Sequence, residues 1–249
     1  MDGHAHLPSS DQPGLAAGGE GHLPATPEFA HAHANAYVVV PSGDAALTVF
    51  GWLRLPFAEI AGAAARWTAF RAELHDDPAL NVRPDDDLRA RKLAAGQGRP
   101  LGGAYLRRGP NRTEKWNYRR VLRRGIDVIA ALPGTTVGTA GGHGLSTTDA
   151  TDALLKRFSA QHAADAAAAF ALLRTGNGTH SWYRIPPGAE APHVVEGPAD
   201  ITAAAERLLE PAEFVAYCAY RHWARMHQRR LLPPWFPELL PGAEGPFTL

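Results

Sequence analysis

Cysteine is nearly absent from this sequence: Cys218 is the single one among 249 residues. One cysteine rules out an internal disulfide, a zinc site built from cysteines and an iron–sulfur cluster. Cys218 falls in the segment EFVAYCAYRHWARMH, where helical periodicity predicts that it is buried as a small apolar residue. The protein must therefore be held together by its core rather than by disulfide bonds.

Long apolar runs and an excess of one charge are also missing. No stretch approaches the ~20 apolar residues that cross a bilayer, so no membrane partner is expected. The N-terminus lacks the basic region followed by an apolar core that is typical of signal peptides, and a cytoplasmic location is therefore expected. The chain has 25 basic and 25 acidic residues, so any attraction to an anionic partner must come from a local patch.

Lysine is scarce, whereas arginine is abundant. Lys92, Lys115 and Lys156 are the only lysines, and the other 22 of the 25 basic residues are arginines. Arginine is the better bidentate ligand for phosphate and carboxylate groups. The chain is also rich in Ala, Gly and Pro, as the products of GC-rich coding sequences are, so composition alone does not assign a function to the arginines.

The distribution of apolar residues predicts the fold class. Residues 1–33 are rich in His, Gly and Pro with few large apolar side chains, which predicts a disordered tail. Two runs rich in β-branched and aromatic residues, NAYVVV and AALTVFGWLRL, flank the turn PSGD and predict a β-hairpin. We predict a single α+β domain over residues 34–249, with this early β-hairpin and a predominantly helical C-terminal half.

Three segments in the middle of the chain give further predictions. IDVIAAL, residues 126–132, predicts a short buried strand. The glycine-rich PGTTVGTAGGHGLSTTD predicts a loop before a helix, either a flexible loop or one that cradles a phosphate, with His143 as a candidate catalytic residue. The alanine-rich run that follows predicts one helix over about residues 146–174. Two short strands, in THSWYRIPPG and APHVVEG, come next, and Arg184 near the end of the first would line a substrate-binding cleft.

Cations concentrate between Arg107 and Arg124, in the segment RRGPNRTEKWNYRRVLRR. Helical spacing predicts that several of them share one face. Phosphates would relieve their repulsion by counterion release, and an aromatic ring would stack on a base. The candidate substrate-binding residues of this segment are Arg112, Lys115, Trp116, Arg119, Arg120, Arg123 and Arg124. The alternative interpretation is a solvated surface, or one paired with Asp85–Asp87.

A histidine pair, His31 and His33, stands just before the first apolar run. On a strand, the two imidazoles would lie on one face and share a divalent metal ion with a third ligand. The HAH triplet resembles the metal motif of the HUH nucleases, and this resemblance implies that Tyr118 is a candidate catalytic nucleophile. The other interpretation is a pair of solvated histidines at the edge of the domain.

These features lead to three functional hypotheses. The first is a cytoplasmic protein that binds or modifies nucleic acid, or another phosphate-bearing substrate such as a nucleotide, through the arginine-rich segment. The second is a metal-dependent enzyme that uses His31 and His33. The third is a non-catalytic module whose arginines bind an acidic protein partner. The sequence leaves open whether the protein is an enzyme.

Overall fold

One mixed β-sheet with helices on both faces forms the described structure. The computed structural model describes residues 34–80, 82–84, 86–96, 112–164, 168–175, 178–188, 190–197, 199–227 and 238–249, all within one compact unit, His31–Leu249. The strands are β1 Asn35–Gly43, β2 Leu47–Pro56, β3 Thr136–His143, β4 Ala169–Arg174, β5 His180–Ile185, β6 His193–Val195 and β7 Glu244–Thr248. The helices are α1 Ile60–Asp76, α2 Ala90–Ala95, α3 Arg112–Ala130, α4 Thr147–Gln161, α5 Ala199–Arg207 and α6 Leu209–His227.

The strands follow the order β6-β5-β4-β1-β2-β3-β7 across the sheet. β1 and β2 form the predicted antiparallel hairpin, with Asn35 opposite Pro56 and Gly43 opposite Thr48. β1 is parallel to β4 on its other side, and β3 is antiparallel to β2. The carboxyl ends of β1, β3 and β4 therefore lie at the same edge of the sheet.

Because helices cover both faces of the sheet, β1 is buried from Ala36 to Val40 and β2 along most of its length. On the α4 face, Phe158 stacks on Tyr37 with ring centroids 4.1 Å apart and meets Trp52 edge-on at 5.2 Å. On the opposite face, α6 crosses β1 and β2. There Trp67 of α1 meets Phe214 of α6 edge-on, with ring centroids 5.5 Å apart.

Glycines allow α6 to approach its neighbours closely. A Cβ atom at Gly51 in β2 would lie 2.3 Å from the backbone nitrogen of Ala216 in α6. A Cβ atom at Gly125 in α3 would lie 2.5 Å from the ring of Phe214. Neither position has room for a side chain. The two glycines therefore determine how closely α6 packs on β2 and on α3.

The glycine-rich segment in mid-chain is a strand, and its prediction as a loop is wrong for residues 136–143, which form β3. A Cβ atom at Gly138 would lie 2.3 Å from the indole of Trp52, so glycine is required there by packing. Glycine is depleted in strands, and propensity therefore favoured a loop. The true loop is short: Gly144 adopts a φ of 69°, and Ser146 then caps α4.

The strand predicted for residues 126–132 is also wrong. α3 continues to Ala130 through most of this segment. Ile126 and Ile129 are buried at helical spacing from Leu122, so they extend the apolar stripe of the helix that precedes them. A short apolar run fits a buried strand or a buried helix segment equally well by pattern.

The long helix predicted for residues 146–174 is divided in two by the structure. α4 ends at Gln161, and Ala169–Arg174 forms strand β4. β4 pairs with β1 on one side and with β5 on the other. Because β4 lies between two other strands, it is almost completely buried. The sequence AFALLR is compatible with a helix or a strand, and this pairing selects the strand.

The predicted α+β fold class is confirmed, with an early hairpin and helices in the C-terminal half. The two expected short strands are β5 and β6. Residues 1–33, the predicted tail, lie outside the described residues, and the domain boundary stays a prediction. Cys218 is buried in α6, as expected, and burial raises its pKa to about 12. No helix in the described part of the chain has both the length and the apolar character to span a membrane.

Replacing Gly51 with alanine should destabilise the protein, because the added methyl group meets the backbone of Ala216. We expect Gly51→Ala to lower the free energy of unfolding in urea by about 1–3 kcal/mol, as in other overpacked cores. Gly62→Ala is the control, since the nearest atom to a Cβ on this exposed residue of α1 is 3.9 Å away. It should raise stability by about 0.5–1 kcal/mol. Unchanged stability of Gly51→Ala would contradict the close packing of α6.

Candidate functional site

An exposed, arginine-rich surface on α3 contains many of the residues that the sequence singled out. Its members recur at helical spacings of three and four and so project from one side of the helix. We call this set the α3 face: Trp116, Arg119, Arg120 and Arg123. Trp116 is 66% exposed, and in the described part of the chain only Val194 is a comparably exposed large apolar side chain. The structure thus brings an exposed indole and several guanidinium groups together.

Acidic residues neutralise one flank of α3 in part. Arg124 pairs with Asp77 at 3.3 Å and with Glu73 at 3.5 Å, at the C-terminal end of α1. Arg120 lies 3.7 Å from the same Asp77 carboxylate. These acids, rather than the expected Asp85–Asp87 run, supply the ion pairs described for α3. Exposed pairs of this length contribute little free energy, so Arg120 can exchange Asp77 for an anion from solvent.

The other cations of α3 are further from acidic groups. Nε of Arg119 donates a hydrogen bond of 3.3 Å to the carbonyl of Ala94, which joins α3 to the end of α2. Arg123 is exposed and has no hydrogen bond or ion pair within the described residues. The predicted ligands Arg112 and Lys115 belong to α3, but their side chains lie outside the described part of the structure.

Neither candidate catalytic residue lies on the α3 face. Tyr118 is only 2% exposed, on the side of α3 that packs into the core, so its hydroxyl has no access to a ligand bound beside the arginines. His143 is exposed at the end of β3, and its ring centroid lies 6.4 Å from that of Trp223 in α6. His143 therefore belongs to the edge of the sheet.

Arg184 and the histidine pair also do not join the α3 face. Arg184 lies in β5 opposite Phe170 of β4, and its Nε is buried with no hydrogen-bond partner among the described residues. His31 and His33 lie outside the described residues, so the metal site stays a prediction. Among the side chains that the structure does describe, no group of three or more His, Cys, Asp or Glu residues is placed to hold a metal ion.

A second candidate site, a polar crevice, lies at the carboxyl ends of β1 and β4. The chain leaves these two adjacent parallel strands in opposite directions along the sheet: β1 is followed by β2 on one side, and β4 is followed by β5 on the other. Such a topological switch point leaves a crevice between the diverging turns, and ligands of open sheets bind there. It has a volume of about 440 Å³. We call it the switch-point crevice, lined by Ser42, Arg89, Arg91, Arg174, Glu213 and Tyr217 among others.

Glu213 of α6 joins two arginines of the switch-point crevice. Its carboxylate pairs with Arg89 at 3.2 Å and with Arg174 at 3.4 Å. Burial raises the pKa of Glu213, and the guanidinium group of Arg89 offsets part of this increase. A carboxylate held between two guanidinium groups fixes the direction in which both groups point.

A second largely buried carboxylate, Glu210, holds the segment that leads into Arg89 and Arg91. Three donors lie 2.7 Å from its oxygens: Trp67 Nε1, Arg71 Nη1 and the backbone N–H of Leu88. Burial raises the pKa of Glu210, and the charge of Arg71 offsets part of this increase. α6 is thereby tied both to α1 and to the loop before α2.

Arg71 of α1 organises the same loop from the other side. Its Nη2 donates to the carbonyl oxygens of Arg83 at 3.1 Å, Pro84 at 2.8 Å and Asp86. Carbonyls of irregular backbone lack the partners that a helix or a sheet provides, and one guanidinium group donates to three of them here. The loop is therefore anchored, and it delivers Arg89 to the switch-point crevice.

Two further polar residues of α6, Tyr220 and Arg221, lie at the sheet edge beside the crevice. The hydroxyl of Tyr220 donates a hydrogen bond of 2.7 Å to Asp44 and lowers the pKa of that carboxyl group. Asp44 also accepts from the backbone N–H groups of Ala46 and Leu47, which closes the turn between β1 and β2. Nε of Arg221 is buried nearby, and the part of the chain that the structure describes offers it no hydrogen-bond partner.

A larger groove of about 730 Å³ lies between α4 and β7. Its charged side chains are Lys156, which is exposed, Arg157 and Glu244. The guanidinium carbon of Arg157 lies 3.4 Å from the centroid of the Phe247 ring, and Arg54 pairs with Glu244 at 2.9 Å. The switch-point crevice gathers three arginines in its lining and is the stronger candidate for an anion site.

Sequence analysis missed the residues of the switch-point crevice. Arg89, Arg174 and Glu213 stand on three separate segments of the chain, and no motif connects them. One signal was available: Glu213 is a charged residue in the middle of an apolar helical run, one turn before Tyr217. A carboxylate in such a place must meet a cation or a donor.

Comparisons of the chain with protein-family models, curated proteins and solved structures give no match. The functional inference therefore rests on the geometry and chemistry of the described residues.

Removing the carboxylate of Glu210 should destabilise the fold, because three donors would lose their acceptor. We expect Glu210→Ala to lower the free energy of unfolding by about 3 kcal/mol, as for other broken buried ion pairs, in urea denaturation followed by tryptophan fluorescence. The control is Glu73→Ala, since Glu73 is half exposed and lies 3.5 Å from Arg124. This variant should lose at most about 0.5 kcal/mol. Equal losses in the two variants would contradict the anchoring role of Glu210.

Proposed function

We propose that this protein binds single-stranded nucleic acid through the α3 face. The observation that carries the proposal is the 66% exposure of Trp116 on a helix surface rich in arginine. Proteins bind single strands by stacking aromatic rings on unpaired bases while cations follow the phosphates. Trp116 would stack on a base, and arginines three and four residues further along α3 would contact the phosphates.

The state of the arginines supports contact with phosphates. Arg123 has no ion pair within the described part of the chain, Arg120 is 3.7 Å from its acidic neighbour, and Arg119 engages only its Nε. Guanidinium groups bind phosphates through two parallel hydrogen bonds. Each contact also releases condensed counterions. The formal net charge of the chain is zero, so the attraction must come from a local surface such as this one.

The proposal is one of binding and does not include a reaction. Tyr118 is buried, and His143 lies at the sheet edge rather than on the α3 face. An acidic protein surface would also attract the arginines, but it offers no unpaired bases for Trp116. Single-stranded nucleic acid is therefore the partner that can contact both the arginines of the α3 face, through its phosphates, and the indole ring of Trp116, through an unpaired base.

Replacing the three arginines of the α3 face should weaken binding to a short single-stranded oligonucleotide. Three phosphate contacts on a single strand contribute about −2 to the slope of log K against log salt. The triple variant Arg119→Ala, Arg120→Ala, Arg123→Ala should lose about that much slope. Trp116→Ala should weaken binding about tenfold, in the range for one stacked base, without changing the slope. Fluorescence anisotropy at several salt concentrations measures both effects.

A matched variant removes the same charge elsewhere. Arg66→Ala, Lys156→Ala, Arg207→Ala takes exposed cations from α1, α4 and α5 and should bind as the parent protein does. Urea unfolding of each variant establishes that the fold is intact. Parent-like affinity of the α3 variant, or no oligonucleotide binding by the parent at low salt, would contradict the proposal.

A further inference from the structure

The lining of the switch-point crevice carries an excess of positive charge. Its charged residues are Arg89, Arg91, Arg174 and Glu213. Three arginines and one glutamate give the lining an excess of positive charge, and Asp87, which lies outside the lining, also pairs with Arg89. Like charges gathered in a concave site are unfavourable unless an anion joins them. The crevice is therefore prepared for an anionic ligand.

Arg91 is the cation most available to such a ligand. It is exposed in the first turn of α2 and has no hydrogen bond or ion pair within the described residues. Its charge nevertheless acts on Asp44 and Tyr217, which places it beside the crevice. Arg89 is more fully engaged, because it pairs with Asp87 at 2.5 Å as well as with Glu213.

Arg174 reaches the crevice from the carboxyl end of β4. Its Nη1 contacts Glu213 at the long distance of 3.4 Å, which leaves the rest of the guanidinium group for a ligand. Tyr217 and Ser42 add hydroxyl groups to the lining. Burial raises the pKa of Tyr217, so its phenol keeps its proton at neutral pH and can donate a hydrogen bond.

The charge and size of the crevice select the class of ligand. A phosphate monoester carries about −1.5 to −2 charges and three acceptor oxygens at pH 7, so Arg91 and Arg174 can bind it together, whereas a monocarboxylate carries one charge and two oxygens. Guanidinium groups also fit phosphate oxygens bidentately. The volume of about 440 Å³ lies within the range of ~300–1,000 Å³ of small-molecule sites, so a ligand larger than phosphate itself can enter.

We propose that the switch-point crevice binds the phosphoryl group of a small phosphate monoester of mononucleotide size, with Arg91 and Arg174 as its ligands. Glu213 holds Arg89 and Arg174 in place, and the anchored loop before α2 delivers Arg89 and Arg91. This site shares no residue with the α3 face, and the proposal does not depend on nucleic-acid binding there.

Isothermal titration calorimetry with the four ribonucleoside 5′-monophosphates, at low ionic strength, tests the proposal. At least one mononucleotide should bind, and the corresponding nucleosides should not. Arg91→Gln should weaken the affinity about tenfold, and the double variant Arg91→Gln, Arg174→Gln about a hundredfold, because each loses a charge-assisted hydrogen bond. Inorganic phosphate, titrated in parallel, distinguishes a site for the free ion from one that also holds the ester; binding of either supports phosphoryl recognition.

Lys92→Gln is the matched control, because Lys92 is the next exposed cation of α2 and does not line the crevice. Its affinity should stay within twofold of the parent value. The proposal is overturned if no phosphate compound binds, if nucleosides or succinate bind as tightly as mononucleotides, or if Arg91→Gln and Lys92→Gln have equal effects. The Arg119, Arg120, Arg123 variant should keep its mononucleotide affinity, so the two proposals succeed or fail separately.

Discussion

The hydrogen bonds to the buried carboxylate of Glu210 are the interaction on which the arrangement of the described structure depends. Burial disfavours the charged form of a carboxyl group, and the pKa of Glu210 is raised accordingly. Donors from two other parts of the chain offset this cost: an indole and a guanidinium group from α1, and the backbone N–H of Leu88. One side chain of α6 thereby joins two helices and an irregular loop.

Close packing of α6 on the sheet brings its carboxylates to the places where they act. Gly51 lets the backbone of α6 approach β2, so the helix lies directly across the central strands. Glu213, about one turn beyond Glu210, then reaches the edge where β1 and β4 end. There it meets Arg174 from β4 and Arg89 from the anchored loop. The switch-point crevice is therefore a consequence of the packing that also builds the core.

The features that sequence reasoning predicted are local ones. The β1–β2 hairpin follows from two strand-forming runs around a turn, and the cationic side of α3 follows from residues that are neighbours on one helix. Tyr118 shows the limit of this reasoning, because the same helical periodicity that gathers the arginines turns its ring into the core. The spacing of the arginines identified the cationic side of α3. The polar neighbours of Tyr118 in the sequence, however, suggested an exposed side chain where the structure has a buried one.

The features that it missed depend on contacts between distant segments. Gly138 is in a strand because it packs against Trp52, and β4 is a strand because β1 and β5 flank it. By local sequence, the glycine-rich segment of β3 favours a loop and the alanine-rich segment of β4 favours a helix. Pairing with neighbouring strands overrides both preferences. The switch-point crevice combines Arg89, Arg174 and Glu213 from three separate segments of the chain, and Glu213 is the one residue of the three whose position in the sequence gave a local signal.

Hydrogen exchange at the backbone amide of Leu88 tests the central role of Glu210 most directly. Leu88 belongs to neither a helix nor a strand, and its N–H donates to Glu210 at 2.7 Å. If Glu210 anchors the loop, this amide should exchange only through global unfolding, as slowly as that of Val39 in the central strand β1. Exchange as fast as at Ala45, in the exposed turn between β1 and β2, would contradict the account.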